Sequence, residues 1–216
     1  MNGQKALVLL SGGLDSATCL YWAKQRFSVV YAITFNYHDR SKREREAAIQ
    51  LANEARITNL IKLDVPFMKE SANTYRPIRT ANSDSRWSAY IPARNLMFYS
   101  IALYHAENLN ITSIVGGHNR HDGYFFKDAT QNYIQKLALL FREGSKMRTM
   151  QSLNIILPLC NLHRKKIITL AIKLKVPIEL TWSCHNDGRS HCRNCYACIE
   201  RRESFRSLGI NDPVFS

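Results

Sequence analysis

A chain of 216 residues is long enough to bury one full core, and its 45% apolar and 22% charged residues are those of a globular domain, which excludes wholesale disorder. No apolar run approaches the ~20 residues a membrane span needs, and Met1-Asn2-Gly3-Gln4-Lys5 leads into a strand-like run rather than a signal peptide, so a cytoplasmic protein with no membrane partner is expected. Thirty Lys and Arg against seventeen Asp and Glu leave a net charge of +13, which favours anionic partners such as nucleotides or nucleic acid.

In chain order, Ala6 to Leu10 is a continuous apolar run of buried-strand length, followed by a glycine turn. Asp15 to Gln25 reads as a helix, Val29 to Phe35 as a strand, Arg45 to Glu54 as a helix, and Leu60 to Leu63 as a third strand. Asp64 to Tyr90 has little periodicity, so an extended loop with one helical turn is expected, of the kind that often forms lids or binding loops. Arg94 to Asn108 is a strong helix; Ser113-Ile114-Val115 is a strand ending at Gly116-Gly117. Asp128 to Arg142 is a helix, Asn154 to Leu157 a strand stopped by Pro158, and His163 to Leu174 a helix that ends near Pro177. This alternation predicts an α/β fold, a Rossmann-like parallel sheet with helices on both faces. The basic groups Lys42-Arg43-Arg45, Arg142 to Arg148, His163 to Lys166 and Arg201-Arg202 read as solvated helix faces in preference to a nucleic-acid groove.

The sharpest motif is Ser11-Gly12-Gly13-Leu14-Asp15-Ser16, between the first strand and the first helix. A strand entering a glycine turn that opens a helix aims unpaired backbone N–H groups at one point, where the helix dipole also favours negative charge, and phosphate is the natural occupant. Two glycines let the backbone approach the phosphate, and the Ser11 and Ser16 hydroxyls add donors. No Lys follows the glycines, which argues against a γ-phosphate-transfer loop; the bland alternative is a turn with Asp15 as a plain helix cap.

Four of six cysteines, Cys184, Cys192, Cys195 and Cys198, cluster near the C-terminal end, while Cys19 and Cys160 stand alone in apolar surroundings. Two intervals are the short ones that let neighbouring thiolates grip one tetrahedral ion, so zinc is the expected metal; the spacing does not match ferredoxin runs, and disulfides rank lower still without a secretory signal. With four protein ligands the ion has no open position, and its role is expected to be structural. His185 and His191 are alternative ligands that a full cysteine set makes unnecessary, and exposed polar histidines are the simpler reading. Trp182 could pack under the knuckle, but an aromatic core residue is the expected reading.

The segment Ser11 to Ser16 resembles the pyrophosphate loop, Ser-Gly-Gly-x-Asp-Ser, of the ATP pyrophosphatase superfamily. That resemblance implies that ATP is split at its α-phosphate, with Leu10, Ser11, Gly12, Gly13, Leu14, Asp15, Ser16 and Ala17 binding the nucleotide, and Ser11, Asp15 and Ser16 contributing to catalysis. Together with Phe35-x-Tyr37, Ile91-Pro92-Ala93-Arg94-Asn95, Gly117 to Asp128, Leu157-Pro158-Leu159, Thr181-Trp182-Ser183-Cys184 and Glu200-Arg201, it resembles the 7-cyano-7-deazaguanine synthase family along nearly the whole chain. The family implies a nucleotide domain over 1–180 with a zinc-binding region over 181–216 packed on it, and ATP, magnesium and structural zinc as requirements. The implied substrates are 7-carboxy-7-deazaguanine and ammonia. A homodimer is the expected assembly.

By the resemblance, Arg94 would bind substrate and act in catalysis by gripping the substrate carboxylate or the α-phosphate, for which a planar guanidinium suits; its alternative is a capping or pairing role at its helix start. Asp122 and Asp128 would accept hydrogen bonds from the guanine-like edge or help hold magnesium. The sequence departs from the family pattern at His38-Asp39 in place of Gly-Gln, at Ala93 in place of Gly, and at Tyr124-Phe125-Phe126-Lys127 in place of Ser-Gly-Tyr-Pro. All three departures fall in the substrate half, so two further readings stand beside the synthase. One is an enzyme that passes the activated carboxylate to another amine, such as a protein amino group, and stops at the amide; the other is a tRNA-modifying or basic zinc nucleic-acid-binding protein.

Overall fold

The structure, a computed structural model, describes residues 4–37, 40–70 and 91–215. Five parallel strands form one sheet: β1 (Lys5–Leu9), β2 (Val29–Asn36), β3 (Leu60–Asp64), β4 (Ser113–Val115) and β5 (Asn154–Ile156), in the order β3-β2-β1-β4-β5. β1 is central, with Leu7 opposite both Tyr31 and Ile114, and Ile114 opposite Ile155. Its unbroken apolar run follows from this position, since helices cover both of its faces.

The helices are α1 (Leu14–Lys24), α2 (Lys42–Glu54), α3 (Pro66–Glu70), α4 (Arg94–Asn108), α5 (Arg120–Phe125), α6 (Gln131–Gly144), α7 (Arg164–Lys173) and α8 (Tyr196–Arg206). On one face of the sheet, Tyr99, Ala102 and Leu103 of α4 and Ile134 and Ala138 of α6 pack on Leu7, Ile33, Ile114 and Ile155. On the other, Cys19, Leu20 and Ala23 of α1, Ala48 and Ala52 of α2 and Ile167 of α7 pack on Ala6, Val8, Ala32 and Val115. Each Leu or Ile fully withdrawn from water contributes roughly 1.5–3 kcal/mol, so the period-two alternation of β1 fixes which residues face which helix layer. A third cluster joins Leu14 and Ala17 of α1, Ile168 and Ala171 of α7 and Phe205 of α8, which seats α8 on the helix layer of the sheet.

Every expected strand is present, within a residue at either end. α2 starts three residues earlier than its apolar pattern because the Ser41 hydroxyl accepts from Glu44 N at 3.3 Å and caps it. The helix expected over 128–142 is divided: residues 127–129 form a 3-10 turn, and the Thr130 hydroxyl accepts from Tyr133 N at 3.3 Å to begin α6. α5 and α8 were not foreseen. α5 is only six residues long and depends on a reciprocal cap between Asn119 and Asp122, whereas α8 begins inside the cysteine motif. Of the loop expected over 64–90, Asp64 closes β3 and α3 supplies the helical turn; residues 71–90 lie outside the described residues, as do His38 and Asp39.

Candidate active site and metal centre

The strand order reverses between β1 and β4, and the crevice beyond their C-terminal ends is where a doubly wound sheet binds ligands. Leu10 N donates to Ile33 O at 2.8 Å as the chain leaves the sheet, and the turn begins. Gly12 has φ +102°, and a Cβ there would lie 2.3 Å from the Glu44 carbonyl oxygen and 2.9 Å from Ala48 N, so α2 packs directly against the loop backbone. Gly13 caps α1 without a side chain. The Ser16 hydroxyl accepts from Ser11 N at 3.2 Å and Gly12 N at 3.3 Å and donates to Gly13 O at 3.0 Å; the Ser11 hydroxyl lies 3.0 Å from it and accepts from Gly13 N at 3.3 Å. Three loop N–H groups thus converge on two serine oxygens, in the arrangement that an anion's oxygens can replace. Leu10, Leu14 and Ala17 are buried core residues, so they can meet a phosphate only through backbone.

Asp15, in the first turn of α1, accepts from Asn119 Nδ2 at 2.7 Å and pairs with Arg164 Nη1 at 2.5 Å. Arg164 Nη2 lies 3.6 Å from a carboxylate oxygen of Glu200. Asn119 follows β4, where Gly117 packs so tightly on α1 that a Cβ would be 3.2 Å from Ser16 N. Asp122 accepts from Asn119 N at 3.0 Å, and burial together with the Asp15 charge pushes its pKa up to about 6. Burial, aided by the positive charge of Arg94, takes His118 down to about 4, so that this imidazole is neutral at physiological pH. Arg164 is pushed the other way, upward, by Asp15. The structure therefore groups Asp15 with Asp122. Asp128 lies further on, in the 3-10 turn that packs on α4, α5 and α6, and makes no hydrogen bond or ion pair with the loop among the described residues.

Arg94 opens α4 behind Ala93, whose φ of 53° and ψ of 17° are left-handed. Its charge and a hydrogen bond act on Tyr37, countering the rise that burial imposes on that phenol; burial likewise holds Glu44 above the usual carboxylate range, against the opposing charges of Arg40 and Arg94. Arg94 thus sits with Tyr37, Glu44 and His118 at the mouth of the sheet. Arg40 lies deeper: its side chain is 2% exposed, one nitrogen donates to Thr34 Oγ1 at 3.0 Å and to the Phe35 carbonyl, and the other donates to the Ser11 carbonyl. Among the described residues its Nε has no hydrogen-bond partner, and Glu44 lies 3.7 Å away.

The four cysteine sulfurs lie within 4.8 Å of one another, with Cys192 to Cys198 at 3.9 Å and Cys195 to Cys184 at 4.0 Å. A tetrahedral ion with Zn–S bonds of ~2.3 Å has S···S edges of ~3.8 Å, so the set fits one zinc. An iron–sulfur cluster places iron and sulfide between its cysteines and would hold them further apart. Backbone N–H groups of Asn186 and Cys192 bond the Cys184 sulfur, both at 3.4 Å, and that of Cys195 bonds Cys192 at 3.3 Å, the support that thiolate ligands need. Trp182 packs on His191 with ring centroids 4.3 Å apart and planes tilted by 40°, and it is half-buried rather than a core residue. The reading of His191 as exposed is corrected: it is 6% exposed, and its Nε2 accepts from Ser183 N at 3.2 Å. His185 is exposed.

Arg40 and Arg164 lie in no motif of the sequence, while His118 and Asn119, within Gly117 to Asp128, and Glu200, in Glu200-Arg201, lie in matched segments but had no role of their own. Arg164 was assigned to a solvated basic face, yet it is half-buried and bonded to Asp15. His118 and Asn119 had a usable signal, since they follow Gly116-Gly117 at the end of a strand; Arg40 and Arg164 had none, because their partners are far away in sequence.

Comparison with known proteins adds to this geometry. The family model described as queuosine biosynthesis protein QueC matches residues 5–209. The 7-cyano-7-deazaguanine synthase of Acaryochloris marina is 38% identical over 223 residues, covering 97% of this chain and 98% of the relative. That of Thermosynechococcus vestitus is 39% identical over 222 residues, covering 98% and 95%. Among solved structures, NMN synthetase from Francisella tularensis superposes with a TM-score of 0.53 at 15% identity, over 97% of this chain and 78% of that one, a likeness of fold.

Proposed function

The chain belongs to the QueC family of queuosine biosynthesis proteins, and from that premise we infer that it is an ATP-dependent ligase that makes 7-cyano-7-deazaguanine from 7-carboxy-7-deazaguanine and ammonia. The observation that carries the reading is the phosphate loop at the β1/β4 crevice, with Asp15 held between Asn119 and Arg164. A carboxylate is a poor electrophile. Attack of its oxygen on the α-phosphate of ATP releases pyrophosphate and leaves an acyl-adenylate; ammonia displaces AMP to give the amide and a proton. A second ATP adenylates the amide oxygen, releasing pyrophosphate and one amide proton, and loss of AMP with the remaining amide proton leaves the nitrile.

The backbone N–H groups of Ser11, Gly12 and Gly13, the start of α1 and the hydroxyls of Ser11 and Ser16 stabilise the departing pyrophosphate, which is electrostatic catalysis rather than covalent catalysis. Arg94 grips the substrate carboxylate or the α-phosphate. Asp122 and Asp128 meet the base. Asp15 and Asp122 offer the hard oxygen donors that magnesium takes, and magnesium bound with ATP would offset the charge gathering on pyrophosphate. Neutral His118, beside Arg94, can accept a proton from the attacking amine. Cys184, Cys192, Cys195 and Cys198 hold a structural zinc, within a tail over 181–216 that packs on the nucleotide domain over 1–180. The protein acts in the cytoplasm as a homodimer. Among the described residues no helix is long and apolar enough to cross a membrane. Relatives matched over nearly their whole length favour the nitrile-forming course over amide transfer or nucleic-acid binding.

The test incubates zinc-loaded protein with ATP, magnesium, ammonium and 7-carboxy-7-deazaguanine, and follows AMP, pyrophosphate and base products by mass spectrometry. Nitrile accumulating with AMP is expected. AMP with amide alone would move the assignment to transfer onto another amine, and no AMP in any combination would overturn it.

A further inference from the structure

The cysteine knuckle is braced against the phosphate loop at three points. Trp182 N donates to the Gly12 carbonyl at 2.9 Å. Asp187, between the first two cysteines, accepts from the Ser41 hydroxyl and from Arg43 N at 3.2 Å, so it sits at the N-terminus of α2, and α2 is the helix whose backbone crowds Gly12. The third point is Glu200. It lies on α8, which Cys195 caps and which carries Cys198 in its first turn, and it pairs through Arg164 with Asp15.

We propose that Glu200 is a positioning residue for the reaction: through Arg164 it fixes the direction of the Asp15 carboxylate, so that the cysteine knuckle sets the geometry of the phosphate loop and with it the affinity for ATP. The proposal rests on the reading of Ser11 to Ser16 as that loop. Arg164 has two carboxylates to choose between, and a guanidinium drawn only to Asp15 can tilt with it; the second anchor, fixed on a helix pinned by metal ligands, removes that freedom. α8 is itself held rigidly. Arg201, one residue on, is 4% exposed and donates to Asp212 at 2.7 and 3.1 Å, to Thr181 Oγ1 at 2.8 Å and to Ser183 Oγ at 3.0 Å.

The experiment uses the zinc-loaded full chain, Glu200→Gln, Arg164→Met and the double variant, with zinc content, thermal unfolding and calorimetric binding of the α,β-methylene analogue of ATP as readouts. Glu200→Gln is expected to keep one zinc per chain and to unfold near the wild-type temperature. It should bind the analogue about fivefold more weakly, the scale of a partly exposed charge pair. In turnover, the KM for ATP rises by a similar factor with kcat nearly unchanged. In the Arg164→Met background the same change should add nothing further. Unchanged affinity in Glu200→Gln, or an undiminished effect in the Arg164→Met background, would overturn the proposal. A Glu200→Gln protein that loses zinc or unfolds would overturn it as well, since Glu200 would then serve the tail's own fold. Wild-type protein that binds no analogue would instead sink the phosphate-loop reading, and this proposal with it.

Discussion

Ala93 stands where the family pattern has glycine, and its backbone shows what the substitution costs. At φ 53° and ψ 17° it is a left-handed N-cap for α4, a conformation that costs an L-residue about 1–2 kcal/mol relative to glycine. Ala93→Gly relieves that strain but adds about 0.4–1 kcal/mol of unfolded-state entropy, so a net gain of about 1 kcal/mol is expected. For a chain of this size that is a rise in Tm of about 2–4 °C. Differential scanning calorimetry of the zinc-loaded protein reads it. Ala106→Gly is the control of opposite sign: Ala106 lies in the same helix and is fully buried, so glycine there is expected to cost at least ~1 kcal/mol. If Ala93→Gly leaves Tm unchanged or lowers it, the left-handed cap is not a source of strain and the argument fails.

Asp212→Ala should cost about 3–5 kcal/mol by urea unfolding, because it strands the Arg201 charge where only 4% of that side chain meets solvent; a loss below ~1 kcal/mol would refute the buried-pair account. Stripping the metal with a strong chelator should release the four clustered thiols to a thiol reagent, leaving Cys19 protected in the core, since structural zinc contributes on the order of 10 kcal/mol; an unchanged count of reactive thiols would contradict a metal-held knuckle. Asp122 has a folded-state pKa of about 6, above the ordinary 3.8, so its contribution to stability is complete below about pH 4 and is lost as pH rises through 6. Asp122→Asn should therefore gain stability relative to wild type between pH 5 and pH 8, and a difference that stays constant over that range would rule this out.

The strands were legible because a parallel sheet buries both faces and writes itself as apolar runs, and the loop because two adjacent glycines flanked by Ser11 and Ser16 let its backbone turn its N–H groups onto the serine hydroxyls. The cysteines announced themselves by spacing. What stayed hidden depends on partners far away in the chain. Nothing near Arg164 says that it will meet Asp15, and a run of His163, Arg164, Lys165 and Lys166 looks like a solvent face although one of the four turns inward. His191 looked exposed for the same reason, since its burial comes from Trp182 and Phe215 rather than from its neighbours. α8 has a weak sequence signature because Tyr196 to Arg206 buries only Cys198, Arg201 and Phe205, too few apolar residues to mark a helical face.

The hydrogen bond from Trp182 to the Gly12 carbonyl has a consequence for biosynthesis. On the ribosome the glycine turn emerges well ahead of the irregular segment around Trp182 that secures it. A growing chain can assemble β1 to β5 and their covering helices with this turn still unlatched, and closing it requires a contact of very long sequence separation, the slow kind. Any ligand that binds the closed form of this turn would therefore reward its late closure.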